Sequence, residues 1–315
     1  MKTAVAGIGV IGRVHVEVLR ELGHAPAAVC DVIPERRKSV AGAKGYGDFS
    51  EMLEKERPDV VHICTPHMLH ADMIVEALGR DINVLCEKPL CIKAEDIPRI
   101  LEAEKNSRGM LGVCLQNRYN ASSLFAKSFF EKKKPDFAFG SVLWHRDAAY
   151  YATGEWRGKW ATEGGGVLIN QAIHTVDLLQ WICGDPERVT GEISLRSLKG
   201  VIEVEDTAFL RGEGESPFEV FATNTASVDM PVELRFASKG EVLTVLPDGA
   251  TLNGEPVDLK KDEAWYGKRQ YGSGHAKLIA DFYDHIARGE KFPLDGREGA
   301  RAVKTVLAVY AAAGH

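Results

Sequence analysis

Cysteine is scarce in this chain, and none of it is spaced for structural work. Six cysteines occur in 315 residues, at positions 30, 64, 86, 91, 114 and 183, with no CxxC pair among them. That argues against a zinc ribbon or a disulfide scaffold, and no metal site is expected. Four of the six (30, 64, 86 and 114) fall in or at the ends of apolar strand-like runs, where cysteine serves as a small buried hydrophobe. Such usage fits a reducing compartment, and a cytoplasmic location is expected. Long apolar runs are missing as well, so no membrane-spanning segment is expected. The N-terminus passes from one lysine straight into a strand-like run and a glycine turn, unlike a secretory leader. Nor is there an excess of basic residues. The net charge of −6 argues against a nucleic-acid partner. The single basic run, Lys132-Lys133-Lys134, follows a helical pattern and reads as a solvated helix end. What remains is the composition of an ordinary globular protein, long enough for two domains with separate cores.

The most telling feature lies at the start. Gly7, Gly9 and Gly12 spell G-x-G-x-x-G straight after a short apolar run that begins at Thr3, and open into an apolar-periodic segment, Arg13–Leu22. Gly7 permits a tight turn, Gly9 lets a pyrophosphate approach the backbone, and Gly12 lets helix and strand pack closely. With Val10 and Ile11 between them, they present the free N–H groups and positive dipole end of a helix to phosphates. Asp31 closes a second apolar run, Ala27–Cys30, about twenty residues past the last glycine. A carboxylate there accepts hydrogen bonds from both adenosine ribose hydroxyls and repels a 2′-phosphate, which favours NAD. Arg36 and Arg37 follow and would accommodate a 2′-phosphate, so NADP stays open.

Strand-like and helix-like runs alternate up to about residue 120, the pattern of a parallel sheet with helices on both faces. The predicted strands are Thr3–Ile8, Ala27–Cys30, Val60–Thr65, Asn83–Cys86 and Leu111–Leu115. Helices are expected at Arg13–Leu22, Glu35–Ala41, Phe49–Lys55, Ala71–Leu78 and Ala94–Lys105. Beyond a helical stretch at Ala121–Glu131, strand-like segments follow one another through Gly, Pro and Asp turns and imply a largely antiparallel sheet. An amphipathic helix, Val167–Trp181, interrupts them, and helices His275–Ala287 and Gly296–Ala313 close the chain. The expected domains are 1–120, binding the dinucleotide, and 121–315, binding substrate and carrying subunit contacts.

Cys86-Glu87-Lys88-Pro89 follows the Asn83–Cys86 strand at its carboxyl end, where open α/β sheets bind ligands. Proline fixes the direction of the preceding lysine and is compatible with a cis bond. A lysine on such a turn is ordinarily a surface residue. Next to a cofactor and partly desolvated, it becomes a candidate for proton transfer.

With these motifs the chain resembles the Gfo/Idh/MocA oxidoreductase family, named after glucose–fructose oxidoreductase and inositol dehydrogenase, over essentially its whole length. The resemblance rests on the glycine loop, on Thr65-Pro66-His67 with His70, and on Glu87-Lys88-Pro89. It extends to Trp156-Arg157-Gly158, to Gly164-Gly165-Gly166 leading into Asn170 and His174, and to Gly274-His275. It implies an N-terminal Rossmann doubly wound parallel sheet and a C-terminal α/β domain with a large, mostly antiparallel open sheet. It also implies hydride transfer between a nicotinamide and a hydroxyl carbon of a sugar, glycoside, nucleotide sugar or cyclitol. An open sheet needs cover, so a homodimer or homotetramer is expected.

On a continuous helix Asn170, His174 and Asp177 stand at i, i+4 and i+7, on one face. A neutral imidazole near pH 7 suits removal of a hydroxyl proton, and a nearby ammonium stabilises the developing alkoxide. His174 is assigned the first role and Lys88 the second, with the exchange of the two left open. Many family members carry Asp where this chain has Asn170. An amide cannot ionise, so Asp177 is the remaining carboxylate to orient His174. Thr65, Pro66, His67, His70, Glu87 and Gln116 are expected along the dinucleotide cleft. Arg118, Tyr150, Trp156, Arg157, Tyr271 and His275 are expected around the substrate, together with Asn170 and His174. Two other classes use the same parts: a redox-neutral glycosidase that transiently oxidises its sugar, and a nucleotide-sensing regulator without catalysis. The regulator should lack Lys88 or His174, and both are present.

Overall fold

The computed structural model describes residues 1–259 and 273–315. Tyr271, expected at the substrate, lies outside the described residues. The chain divides into two compact units, one of residues 1–115 with 275–300 and the other of residues 116–274 with 301–315.

In the first unit β1 (Thr3–Ala6), β2 (Ala28–Cys30), β3 (Lys44–Tyr46), β4 (Val60–Ile63), β5 (Asn83–Cys86) and β6 (Leu111–Val113) form one sheet. Their order is β3-β2-β1-β4-β5-β6 and every pairing is parallel. The strands β1, β2 and β4 are buried at every residue, which explains their Val, Ile and Ala content. Helices α1 (Val10–Glu21), α2 (Pro34–Lys38), α3 (Phe49–Glu56), α4 (His70–Leu78) and α5 (Asp96–Asn106) connect them. The sequence reading missed β3, because Lys44-Gly45-Tyr46 has no apolar run and none of its residues is buried. It also extended the last strand to Leu115, whereas Gln116–Tyr119 form a turn of 3₁₀ helix.

The second unit is built on an eight-stranded sheet, mostly antiparallel as expected. Its long strands are β7 (Phe137–Leu143), β8 (Arg188–Ser194), β9 (Thr207–Glu213), β10 (Phe218–Thr223), β11 (Glu233–Ser238) and β12 (Glu241–Leu246); β13 (Gly249–Leu252) and β14 (Glu255–Pro256) complete it. Among the described residues, only the β7–β10 pairing of this sheet is parallel. Helices α6 (Ala121–Phe129), α7 (Ala148–Tyr151), α8 (Val167–Asn170) and α9 (Ile173–Cys183) precede β8. Close packing of α9 on β7 needs a glycine, since a Cβ at Gly140 would overlap Thr175.

The chain closes with α10 (Gly274–Arg288) and α11 (Gly296–Ala312). The sequence reading placed both in the second domain. Residues 275–300 instead join the first unit, because Leu278, Ile279, Phe282, Phe292 and Leu294 are buried there. Within it, the Val113 N–H donates to the Leu294 carbonyl at 2.8 Å, and Gly112 leaves room for the Phe282 ring.

Candidate active site

The glycine loop has the geometry its spacing predicts. Gly7 turns at φ +84°, and a Cβ there would overlap the Cys64 carbonyl. A Cβ at Gly12 would overlap the Gly7 carbonyl, whereas one at Gly9 would meet only open space. Gly9 is the N-cap of α1 and no side chain caps that helix, so its first N–H groups are left for a ligand to satisfy. A pyrophosphate fits such a cradle. Asp31 is 7% exposed at the end of β2, where Oδ2 accepts from the Ile8 N–H at 2.8 Å and Oδ1 from the Ile33 N–H at 2.9 Å. Arg36 stands 3.7 Å from the same carboxylate, and Arg37 donates to the Asp31 carbonyl at 3.1 Å.

Other residues expected along this cleft serve inside the unit. His70 is fully buried, with Nδ1 2.7 Å from the Pro89 carbonyl and Nε2 3.0 Å from the Thr65 carbonyl. It braces two loops instead of facing a ligand, and burial lowers its pKa against the pull of both carbonyls. The Thr65 hydroxyl donates to Met73 Sδ at 3.3 Å, and His67 is buried beside His70. Glu87 is 4% exposed; its carboxylate lies 3.1 Å from His15 Nε2 and 3.5 Å from His275 Nε2 and accepts the Lys88 N–H at 3.2 Å. Burial pushes this carboxyl up, but its hydrogen bonds to His15 and His275 outweigh that and hold it well below the usual carboxylate range. His275, expected at the substrate from the second domain, is therefore corrected to a buried neighbour of Glu87. The Lys88–Pro89 bond is cis.

In the second unit the expected continuous helix is two, α8 and α9, separated at Gln171–Ala172. Asn170 ends the first, while His174 and Asp177 lie on the second. The Gln116 amide nitrogen is 3.1 Å from His174 Nε2, so it donates to that lone pair. Gln116 was expected at the cofactor. Asp177 is 1% exposed and takes two hydrogen bonds from Arg118, at 2.9 and 2.6 Å. Its carboxylate is committed to Arg118, which corrects two expectations: Asp177 does not orient His174, and Arg118, itself 4% exposed, faces Asp177 instead of a substrate. The sequence reading missed Glu163. It is buried, accepts the Gly158 N–H at 2.5 Å and also accepts from the Asn170 amide. A carboxylate thus stands beside position 170 although residue 170 is an amide. Tyr150, Trp156 and Arg157 do come together: Arg157 donates to the Tyr150 hydroxyl at 2.7 Å and stacks over both rings at 4.7 and 4.5 Å.

Glu205 and Tyr310 hold the triple-glycine turn. Glu205 accepts from the Gly166 and Leu168 N–H groups at 2.7 and 3.0 Å and from the Tyr310 hydroxyl at 2.6 Å. Gly165, at φ +144°, leaves space for the Tyr310 ring. Glu205 sits in the acidic stretch Glu203-Val204-Glu205-Asp206, so no local pattern singled it out.

A parallel sheet in the order 3-2-1-4-5-6, a glycine-lined helix start and an acidic residue ending β2 define a dinucleotide-binding α/β protein. Comparison with known proteins agrees. Residues 1–115 match the family model described as an oxidoreductase family with NAD-binding Rossmann fold, and residues 137–244 match the GFO/IDH/MocA C-terminal domain. The inositol 2-dehydrogenase of Pseudarthrobacter chlorophenolicus is 37% identical over 310 residues, 92% of this chain and 87% of that protein. Its counterpart in Salmonella typhimurium is 28% identical over 195 residues, a match spanning 59% of this chain and just over half (55%) of that enzyme's length. Among solved structures, the WlbA dehydrogenase of Chromobacterium violaceum, in complex with NADH and UDP-GlcNAcA, superimposes with a TM-score of 0.85 at 26% identity, covering 99% of this chain and 93% of that one. A levoglucosan dehydrogenase in complex with NADH and levoglucosan shares the fold, with a TM-score of 0.86 at 18% identity over 100% of this chain and 97% of that one. The chain belongs to the Gfo/Idh/MocA oxidoreductase family, and its first 115 residues are that family's NAD-binding domain.

Proposed function

We propose that this chain is an NAD-dependent dehydrogenase acting on a hydroxyl carbon of a sugar, glycoside, nucleotide sugar or cyclitol. The observation that carries this reading is the pairing of an uncapped α1 N-terminus, opening on the clear side of Gly9, with the fixed carboxylate of Asp31. Bound NAD supplies a hydride acceptor at carbon. The chain's own residues do the rest. The α1 N–H groups with Val10 and Ile11 hold the pyrophosphate, and Asp31 takes the ribose hydroxyls with Arg36 beside it. A hydroxyl that reaches His174 Nε2 exchanges with the Gln116 amide and gives its proton to that lone pair. Lys88 stabilises the developing alkoxide, or the two exchange roles. Asn170, held by Glu163, and the Tyr150–Trp156–Arg157 group orient the remaining hydroxyls.

A second chain of the same kind is the proposed partner. Phe137, Phe139, Leu143, Phe209, Phe221 and Val242 share the outer face of the second sheet, with Phe137, Phe221 and Val242 the most exposed. These apolar side chains, interleaved with the Arg211–Glu219 and Arg235–Glu233 ion pairs, support self-association into a dimer or tetramer. No helix among the described residues is long and apolar enough to cross a membrane. All six cysteines are buried and free, which supports a cytoplasmic location.

Turnover of Lys88→Met tests the reading. With inositol, sugar and glycoside substrates the variant should lose about a hundred- to a thousandfold in kcat, the scale of a lost charge-stabilising group, while NADH still binds. Normal turnover by the variant would remove Lys88 from the chemistry. Aglycone release without NADH build-up by the wild type would point to the redox-neutral glycosidase.

A further inference from the structure

Behind the Glu87–Lys88–Pro89 corner the first unit holds a continuous buried chain of polar side chains that the proposed function leaves unused. Thr3 on β1, Tyr283 on α10, His62 on β4, His15 on α1 and Glu87 are all buried. Thr3 Oγ1 is 3.0 Å from the Tyr283 hydroxyl, which is 3.0 Å from His62 Nε2. His62 Nδ1 is 2.8 Å from His15 Nδ1, and His15 Nε2 is 3.1 Å from the Glu87 carboxylate. Among the described residues each ring nitrogen of the two histidines has one nitrogen or oxygen partner, with Cys114 Sγ a longer second contact of His15 Nε2, so the protons can be counted.

A neutral imidazole has one N–H and one lone pair. Among the described residues the Thr3 hydroxyl has one side-chain partner, the Tyr283 oxygen. The Thr3 proton finds an acceptor there only if Tyr283 turns its own proton onto His62 Nε2. His62 then carries its proton on Nδ1 and donates to His15 Nδ1. His15 carries its proton on Nε2 and donates to Glu87. In this order each proton has an acceptor and neither ring is charged. The reverse order leaves the buried Thr3 proton without an acceptor, and so does a doubly protonated His15. Burial pushes His62 well below the usual imidazole range, which favours the same neutral ring.

We propose that these residues form a one-directional relay from Thr3 to Glu87, and that Tyr283, His62 and His15 are positioning residues for Lys88. The proposal rests on the role of Lys88 given above. Glu87 Oε2 accepts the Lys88 N–H at 3.2 Å, so the carboxylate that ends the relay also holds the backbone from which the lysine side chain leaves. Around the relay, His275 Nε2 faces Glu87 at 3.5 Å, Cys114 Sγ lies 4.0 Å from His15 Nε2, and His24 stacks on Tyr283 at 4.4 Å. Ligand atoms of His15, Glu87 and His275 lie within 4.8 Å of one another, a spacing that a divalent transition metal also accepts. A metal on His15 Nε2 would displace the proton that the relay puts there, so that proton separates the two readings.

The test is a two-bond ¹H–¹⁵N correlation spectrum of the full-length labelled protein, which shows which ring nitrogen bears the proton, together with its zinc content. The relay predicts His15 protonated on Nε2, His62 protonated on Nδ1, and substoichiometric zinc. In Tyr283→Phe, with its fold verified by circular dichroism, the His62 Nε2 and Lys88 backbone amide resonances should both shift. The opposite tautomers, a doubly protonated His15, one zinc per chain, or an unmoved Lys88 amide in Tyr283→Phe would each overturn the proposal. If Tyr283→Phe fails to fold, the wild-type tautomers decide, and Thr3→Val takes its place for the Lys88 amide. These readouts belong to the resting protein, so an active Lys88→Met variant would refute the catalytic reading and leave the proton order standing.

Discussion

At the scale of single residues, cofactor choice centres on Asp31. Both its oxygens are pinned by backbone N–H groups, so the carboxylate cannot swing aside for a 2′-phosphate. Arg36 at 3.7 Å offsets part of its charge. Asp31→Asn keeps the shape and removes the repulsion. The variant should bind NADPH about tenfold more tightly than the wild type does, a change of about 1.4 kcal/mol, as followed by nicotinamide fluorescence. No gain for NADPH would show that something other than Asp31 sets the preference. Asn170 makes a related point. Its amide is held by Glu163, so this chain keeps a carboxylate near that position by a different route from an Asp at 170. The sequence reading looked for that carboxylate at Asp177, about two turns further along a presumed continuous helix. Spacing along a helix shows which side chains share a face. It does not show that Arg118, fifty-nine residues away, already occupies one of them.

At the scale of elements, the break between α8 and α9 was not legible in the sequence, because Gln171 and Ala172 are compatible with an unbroken helix. The start of α8 depends on a distant side chain. Glu205 supplies the acceptor for its first N–H groups, and Tyr310 supports Glu205 from α11. Burial raises the Glu205 carboxyl to about 7, partly countered by the Tyr310 and backbone hydrogen bonds. Its folded-state pKa therefore lies above the unfolded value of about 4.3. Between these values the folded chain holds the proton that the unfolded chain releases. This contribution to stability is fully present below the unfolded pKa and is lost as pH rises through about 7. Urea midpoints measured from pH 5 to 8 should fall with pH for the wild type by more than for Glu205→Gln, which mimics the protonated acid. Equal slopes would mean that Glu205 titrates as it does in the unfolded chain.

At the scale of the whole chain, the parts legible in sequence are those that repeat or that serve one local purpose. β1, β4 and β5 announce themselves as short runs of Val, Ile, Ala and Leu, and the glycine loop by its spacing. The return of residues 275–300 to the first unit was not legible, because an amphipathic helix shows that it has a buried face without naming the surface that covers it. The buried relay was hidden for the same reason. Thr3 and Tyr283 are 280 residues apart, and the one local hint was a histidine inside the otherwise apolar strand Val60–Ile63. The catalytic reading depends first on whether the chain holds a nicotinamide dinucleotide, and of which kind. Titration of the purified protein with NADH and, separately, with NADPH, followed by nicotinamide fluorescence, answers this directly. The account predicts saturable NADH binding at least tenfold tighter than NADPH binding, a difference of about 1.4 kcal/mol or more; binding of neither, or a clear preference for NADPH, would contradict it.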